Sequence, residues 1–317
     1  MDAELNEICE MFVQNYMNLK NEDAGTDDEF VLAGAGIFTA AGRLADPDVI
    51  RRCIDVVNTE KDFFKDFKSR TEFIVRCNMA IYNDPYKFTD DFIQACTKFV
   101  VGKRYTDEMN VLSTLMLVNA VNVSDPSEYD EIIEEIKNAL DEYTNGSKHG
   151  EPDKPFITQM VLSGREYKAV RKDELVGQDI LKRGSLKTDK VSVKTVSRLT
   201  SLYDGEIETK CNNFCSLGNA LKKSKRSLGQ GRVNAMLPIL TMLDMPEDQI
   251  VRMVSDADDC LKCFRPFKGL MGLEAELRRL FAMLCVIKRF DGSQGRDTAI
   301  AAMLAVYIVI MRGTRTF

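Results

Sequence analysis

A chain of 317 residues with 44% hydrophobic and 29% charged side chains is long enough to bury a sizeable core, as one elongated repeat array or about two globular domains. Its formal net charge of −6 and its single histidine, His149 in a polar loop, weigh against nucleic-acid binding and against catalysis that leans on imidazole.

The first stretch, Met1–Leu19, carries several acids and no basic start, unlike a secretory signal. Its apolar residues Leu5, Ile8, Phe12, Tyr16 and Leu19 fall on one face of a helix. From there the chain alternates apolar helical runs with amphipathic ones, divided by sharp turns. The turns are Asp46-Pro47, Asp84-Pro85, Asp125-Pro126, Gly164-Arg165, Asp204-Gly205, Met245-Pro246 and Asp291-Gly292. Successive turns lie 38, 41, 39, 40, 41 and 46 residues apart, a near-constant step that marks a helical repeat. At Asp46-Pro47 and Asp125-Pro126 the acid suits an N-cap and the proline the first helical position.

The first arms are Phe30–Leu44, Glu72–Tyr82, Met109–Val121, Phe156–Leu162, Val191–Tyr203, Val233–Leu243 and Leu277–Phe290. Several are apolar nearly all round, which predicts a shielded inner layer. Second arms such as Asp130–Leu140 keep Ile132, Ile133, Ile136 and Leu140 on one face and charge on the other, which predicts a solvent-facing layer. The expected fold is all-α: an α/α superhelix, or solenoid, of about seven helical hairpins with a period near 40 residues, running over 1–317 as one array. The breaker-rich loop at 145–155 is the expected hinge. It separates an acidic half, 1–153, with net charge −16, from a basic and mixed half, 154–317, whose segments 154–232 and 233–317 carry +9 and +1.

The motifs that carry chemistry elsewhere read here as packing. Cys260-x-x-Cys263 has no second pair to complete a zinc site, and Cys53, Cys77, Cys96 and Cys285 sit on apolar stripes as small core residues. Nine cysteines, an odd number, fit reduced thiols in a cytosolic protein. Asp256-Ala257-Asp258-Asp259 resembles the acid motif of class II terpene cyclases, but those line their cavity with aromatics including Trp, and this chain has no Trp. These acids are expected on the solvent face of a second arm. Gly34, Gly36 and Gly42 lie within a predicted helix, where small residues let neighbours approach, and Gly229-Gln230-Gly231 reads as a helix stop. No metal, no cofactor and no catalytic residue are expected. The longest apolar run, Ala299–Met311, has thirteen residues against the roughly 18 of a membrane span, so the expected location is cytoplasmic.

One feature points outward. The basic middle supplies a candidate binding flank, Lys168, Arg171, Lys172, Lys182 and Arg183, suited to an acidic protein or peptide partner. The expected function is a non-enzymatic repeat scaffold binding such a partner on its inner groove or its basic flank. The alternative is an α/α-toroid enzyme with a carboxylate-lined central pocket.

The segments Phe12–Lys20 (FVQNYMNLK), Ala33–Arg43 (AGAGIFTAAGR), Phe67–Ala80 (FKSRTEFIVRCNMA) and Gly231–Leu243 (GRVNAMLPILTML) resemble a family of bacterial proteins, found mostly in Firmicutes, known as domain of unknown function 4003. The resemblance spans nearly the whole chain. It implies an intracellular helical protein without an assigned activity, and it carries over no catalytic residue. In the fourth repeat Gly164-Arg165 replaces the acid–proline turn, which leaves the register of 170–185 open.

Overall fold

The computed structural model describes residues 2–99, 106–121, 128–144, 154–184, 190–226, 232–243, 245–267, 275–291 and 295–313. All regular structure among the described residues is helical. In chain order the helices are α1 (Ala3–Glu22), α2 (Asp28–Ala40), α3 (Pro47–Thr59), the single turn α4 (Lys61–Phe64), α5 (Ser69–Ala80), α6 (Pro85–Phe99), α7 (Glu108–Ala120) and α8 (Tyr129–Thr144). They continue with α9 (Lys154–Leu162), α10 (Tyr167–Arg183), α11 (Lys190–Ser201), α12 (Ile207–Lys223), the short α13 (Leu237–Leu240), α14 (Glu247–Lys262), α15 (Ala275–Phe290) and α16 (Arg296–Gly313). The expected first arms other than Val233–Leu243 coincide with α2, α5, α7, α9, α11 and α15, and the second arms with the helices that follow them.

The turns form for the reasons their residues give. Asp46 caps α3 by accepting from the Asp48 amide at 2.8 Å, with Pro47 at the first helical position, where a missing N–H costs nothing. Asp84 accepts from the amides of Tyr86 and Lys87 at 3.0 and 3.1 Å at the start of α6. Gly164 and Gly205 turn with φ of +74° and +96°, a region a side chain resists. The Asp125-Pro126 turn and most of the 145–155 loop lie outside the described residues.

Two expectations need correction. Val233–Leu243 is not one apolar helix: a 3-10 turn over Arg232–Met236 precedes the four-residue α13. Pro238 has no N–H to donate to the preceding turn and its ring crowds the carbonyl four residues back, so a continuous α-helix through it is disfavoured. The last second arm, α16, is not solvent-facing either, for every residue from Ile300 to Ile310 is buried.

The chain folds into two compact units, Asp46–Val170 and a second made of Met1–Ala45 with Arg171–Phe317. In the Asp46–Val170 unit the arms stack by kind. First arms α5, α7 and α9 pack each on the next, and so do α3, α6 and α8. Residues about one repeat apart therefore touch. Arg70 Nε pairs with Glu108 at 2.7 Å, the carboxamide of Asn119 donates to Asn78 at 2.8 Å, and Lys154 donates to Asn110. Phe63 and Phe64 of α4 form one aromatic cluster with Phe67, Phe88 and Phe92.

Glu108 is buried and shapes how this unit responds to acid. Burial alone raises a carboxyl, but hydrogen bonds from Arg70 and Lys68 hold this one below its usual 4.5. Its contribution to stability is present above that unfolded value and is lost as pH falls through the lower folded one. The Glu108→Gln variant is expected to unfold more readily at pH 7 and to lose less stability than wild type between pH 5 and pH 3. Parallel urea titrations at the two pH values check this.

In the other unit the N-terminal hairpin α1–α2 packs against the C-terminal helices: α1 on α14 and α15, α2 on α15 and α16. Gly36 makes the close approach possible. A Cβ there would meet Leu284 Cδ2 at 3.0 Å and Phe281 at 3.5 Å. Phe12 and Phe281 stack 5.1 Å apart across the same contact. Ion pairs from Arg289 to Asp2 and Glu4, at 3.2 and 3.1 Å, flank the seam.

Candidate interaction surface

The five basic residues singled out in the sequence all lie on α10, whose register the structure fixes. The division between the units falls within this helix: Lys168 belongs to the Asp46–Val170 unit, Arg171, Lys172, Lys182 and Arg183 to the other. Lys168, Lys172, Lys182 and Arg183 are exposed and Arg171 is half-buried. Spacings of three, four, seven and eleven residues put Arg171, Lys172, Leu175, Asp179, Lys182 and Arg183 on one side of the helix.

The buried side explains what the exposed side shows. The positions that face inward are Val170, Glu174, Gly177 and Leu181. Glu174 is fully buried, and it is satisfied there: Arg198 Nε pairs with it at 3.2 Å, Arg171 at 2.5 Å, and Gln178 donates to it at 3.1 Å. Arg198, only 2% exposed, matches it as a buried partner from α11. Gly177 lets the helix sit close to its neighbours, since a Cβ there would touch Ile207 and Ser197 at 3.4 Å. With a carboxylate and a glycine on the inner stripe, Leu175 and Val176 turn outward, 49% and 41% exposed. The sequence reading missed both residues. The available signal was Glu174, a charge in the inner stripe of an otherwise apolar pattern.

The result is an exposed apolar pair set among cations. Arg171 is partly spent on Glu174, and Lys182 reaches Asp179 at 3.0 Å on the surface, a pair worth little in water. Arg183 and Lys172 complete the rim. Lys and Arg stems bury well along apolar surface while their charge stays wet, so this face offers both hydrophobic and electrostatic contact.

Beside it, a cleft of about 320 Å³ is lined by Gly184, Asn212, Ser216, Asn219, Lys223 and Glu247 among others. Its polar groups come from one face of α12, and Glu247 is its one carboxylate. In the Asp46–Val170 unit the exposed face of α8 is acidic, through Asp130, Glu131, Glu134 and Glu135.

The Asp256-Ala257-Asp258-Asp259 motif requires a correction. Asp258 is not on a solvent face but fully buried, and three arginines surround it: Arg226 at 2.5 Å, Arg278 at 2.6 Å and Arg279 at 3.7 Å. Asp259, largely exposed, takes the other arm of Arg226 at 2.6 Å. The inner stripe of α14 runs Ile250, Met253, Val254, Ala257, Asp258 and Leu261, which places Asp258 inward and Asp259 outward. The cluster ties α14 and α15 to Arg226 in the segment that follows α12.

The nine cysteines carry free thiols, with Cys53, Cys77, Cys96 and Cys285 buried as core residues. Among the described residues, no group of three or more His, Cys, Asp or Glu is placed to hold a metal ion. No helix among them is long and apolar enough to cross a membrane.

Among the described residues these features define a helical protein of paired arms, pinned by buried ion pairs and carrying a mixed basic and apolar face on α10. The chain belongs to the family described as Protein of unknown function (DUF4003), whose model matches residues 15–313. No curated protein and no solved structure matches it.

Proposed function

We propose that this protein is a non-enzymatic α/α superhelical scaffold of the cytoplasm, and that it binds an acidic protein or peptide partner on the exposed face of α10. The observation that carries the reading is the outward-turned Leu175 and Val176 with Arg171, Lys172, Lys182 and Arg183 around them. A partner with apolar side chains and flanking carboxylates complements both parts of that face. The stacking of α5, α7 and α9, and of α3, α6 and α8, supports the superhelix, because arms of one kind pack on the next copy in such arrays. The inner groove is the weaker of the two binding surfaces. In the unit that contains α16, that helix already lies against α2, α15 and the 3-10 turn at Arg232–Met236.

The alternative, an α/α-toroid enzyme with a carboxylate-lined pocket, draws support from Asp297. Burial and the nearby Asp291 push its carboxyl up, and it accepts a hydrogen bond from Tyr203 at 2.9 Å. The described cleft has a single carboxylate, so the scaffold remains the preferred reading.

The test compares wild type with two variants, one carrying Gln at Lys168, Arg171, Lys172, Lys182 and Arg183, the other Leu175→Asp. Proteins captured by wild type from its native host are identified by mass spectrometry, then titrated against all three chains across a salt series. The expected partner is acidic and binds either variant at least about tenfold more weakly, with affinity that falls as salt rises. Random-sequence RNA and DNA are titrated alongside and are expected to bind weakly. Equal binding of the captured partner by all three chains overturns the assignment of this face.

A further inference from the structure

Three thiols from three helices meet at the seam where the N-terminal helix joins the C-terminal ones. Cys9 on α1 neighbours both Cys260 on α14 and Cys285 on α15, close enough that their thiols affect one another's ionisation. The Cys260 thiol also donates to Asn6 Oδ1 at 3.9 Å, and Asn6 lies one turn before Cys9 on the same helix. Cys260 therefore faces α1 across the α1–α14 contact. Cys9 and Cys285 are 0% exposed, whereas Cys260 is only half-buried and borders solvent. Cys263, the other half of the C-x-x-C pair, is exposed and directs its thiol to the Asp259 carbonyl of its own helix at 3.4 Å.

We propose that Cys9 and Cys260 are a site of oxidative modification, joined by hydroperoxides into a disulfide that ties α1 to α14. Access sets the order of events, because Cys260 is the one member of the trio that a soluble oxidant reaches. Its thiolate attacks a peroxide oxygen: an S–O bond forms, the O–O bond breaks, and the departing hydroxide takes a proton and leaves as water. Cys260 is then a sulfenic acid and the peroxide is reduced. Cys9, already in contact, loses its proton and attacks the sulfenic sulfur. An S–S bond forms and the hydroxyl leaves as a second water. Two thiols and one hydrogen peroxide thus become one disulfide and two waters.

The surroundings make this a slow response. The Cys260 thiol pulls Cys9 down, but Cys285 and burial outweigh it and leave Cys9 well above its ordinary range; Cys9 and burial push Cys260 up as well, and Cys260 sits near the negative end of the α14 dipole. Little thiolate exists at neutral pH, so the pair answers sustained oxidant rather than a brief pulse. Cys285 is shielded behind Cys9 and is not expected to be oxidised first.

The experiment exposes reduced full-length protein to hydrogen peroxide and maps peptides without reduction. A Cys9–Cys260 cross-link is expected, with two fewer free thiols than the nine of the reduced chain. The link is expected to form at a rate that rises about tenfold per pH unit from pH 7 to 9, because the thiolate is the nucleophile. Cys263→Ser is expected to keep the cross-link. Cys9→Ser is expected to lose it and to leave a Cys260 sulfenic acid that a 1,3-dione reagent traps. A Cys260–Cys263 link in wild type, loss of the cross-link in Cys263→Ser, or no oxidation at Cys260 overturns the proposal. The first two outcomes are read without the Cys9 variant, so its folding does not decide the matter.

Discussion

Replacing Asp258 with Asn is expected to destabilise the protein by about 3–5 kcal/mol, the range for removing one partner of a buried ion pair. The substitution keeps the shape of the side chain and removes only its charge. Arg226, Arg278 and Arg279 then remain ionised, since a guanidinium does not give up its proton at any working pH. Arg278 and Arg279 are only 10% and 17% exposed, so neither turns easily to water. The neighbouring Asp259→Asn change removes a carboxylate that is 59% exposed and is expected to cost less than about 1 kcal/mol. Urea unfolding of the full chain, followed by circular dichroism, measures both. A loss below 1 kcal/mol for Asp258→Asn would show that the arginines find other partners, and that the cluster is not what holds α14, α15 and the segment after α12 together.

That cluster marks where the sequence stops being readable. The arms themselves were legible because apolar side chains at three- and four-residue spacing leave a strong pattern, and because Asp-Pro and glycine turns interrupt it at a regular step. The buried carboxylates were not. Glu108 and Asp258 look like ordinary surface acids until their arginines are known, and Glu174 shows only as a charge set in an apolar stripe. Those partners lie 38, 24 and 32 residues away, at Arg70, Arg198 and Arg226. Each of these buried charges has a partner on another arm that no local window contains, although Arg171 also meets Glu174 from three residues away.

The same reasoning accounts for the outward Leu175 and Val176. Apolar residues at these positions read as core until Glu174 and Gly177 are seen to hold the inward stripe. The charge boundary falls at 153 whereas the compact units part after Ala45 and Val170, because net charge reports what faces solvent and compactness reports what packs. The N-terminal hairpin joins helices more than 200 residues later, a pairing that rests on the fit of Gly36 to Phe281 and Leu284 and leaves no periodic trace.

The helix α16 carries the second large effect. From Ile300 to Ile310 it has no polar face: Ala301, Ala305, Val306 and Val309 are 0% exposed, and the remaining residues of that stretch are at most 5% exposed. A helix apolar on all sides is one covered on all sides, here by α2, α15 and the Arg232–Met236 turn among its neighbours. Val306→Asp places a carboxylate at a fully buried position with no arginine arranged for it. Either the charge is desolvated or the group is kept protonated at neutral pH, and both routes cost several kcal/mol, about 4 or more. A loss of that size rivals the whole stability of a typical domain. The expected result is a protein whose Met1–Ala45 and Arg171–Phe317 unit no longer unfolds cooperatively, while the Asp46–Val170 unit, built on its own stacked arms, keeps a transition. Limited proteolysis with mass mapping distinguishes the two, since the first unit is expected to be cut readily and a fragment near residues 46–170 to survive. Simultaneous loss of both units would mean that neither holds without the other, and a cooperative transition unchanged from wild type would mean that α16 is not the covered helix described above.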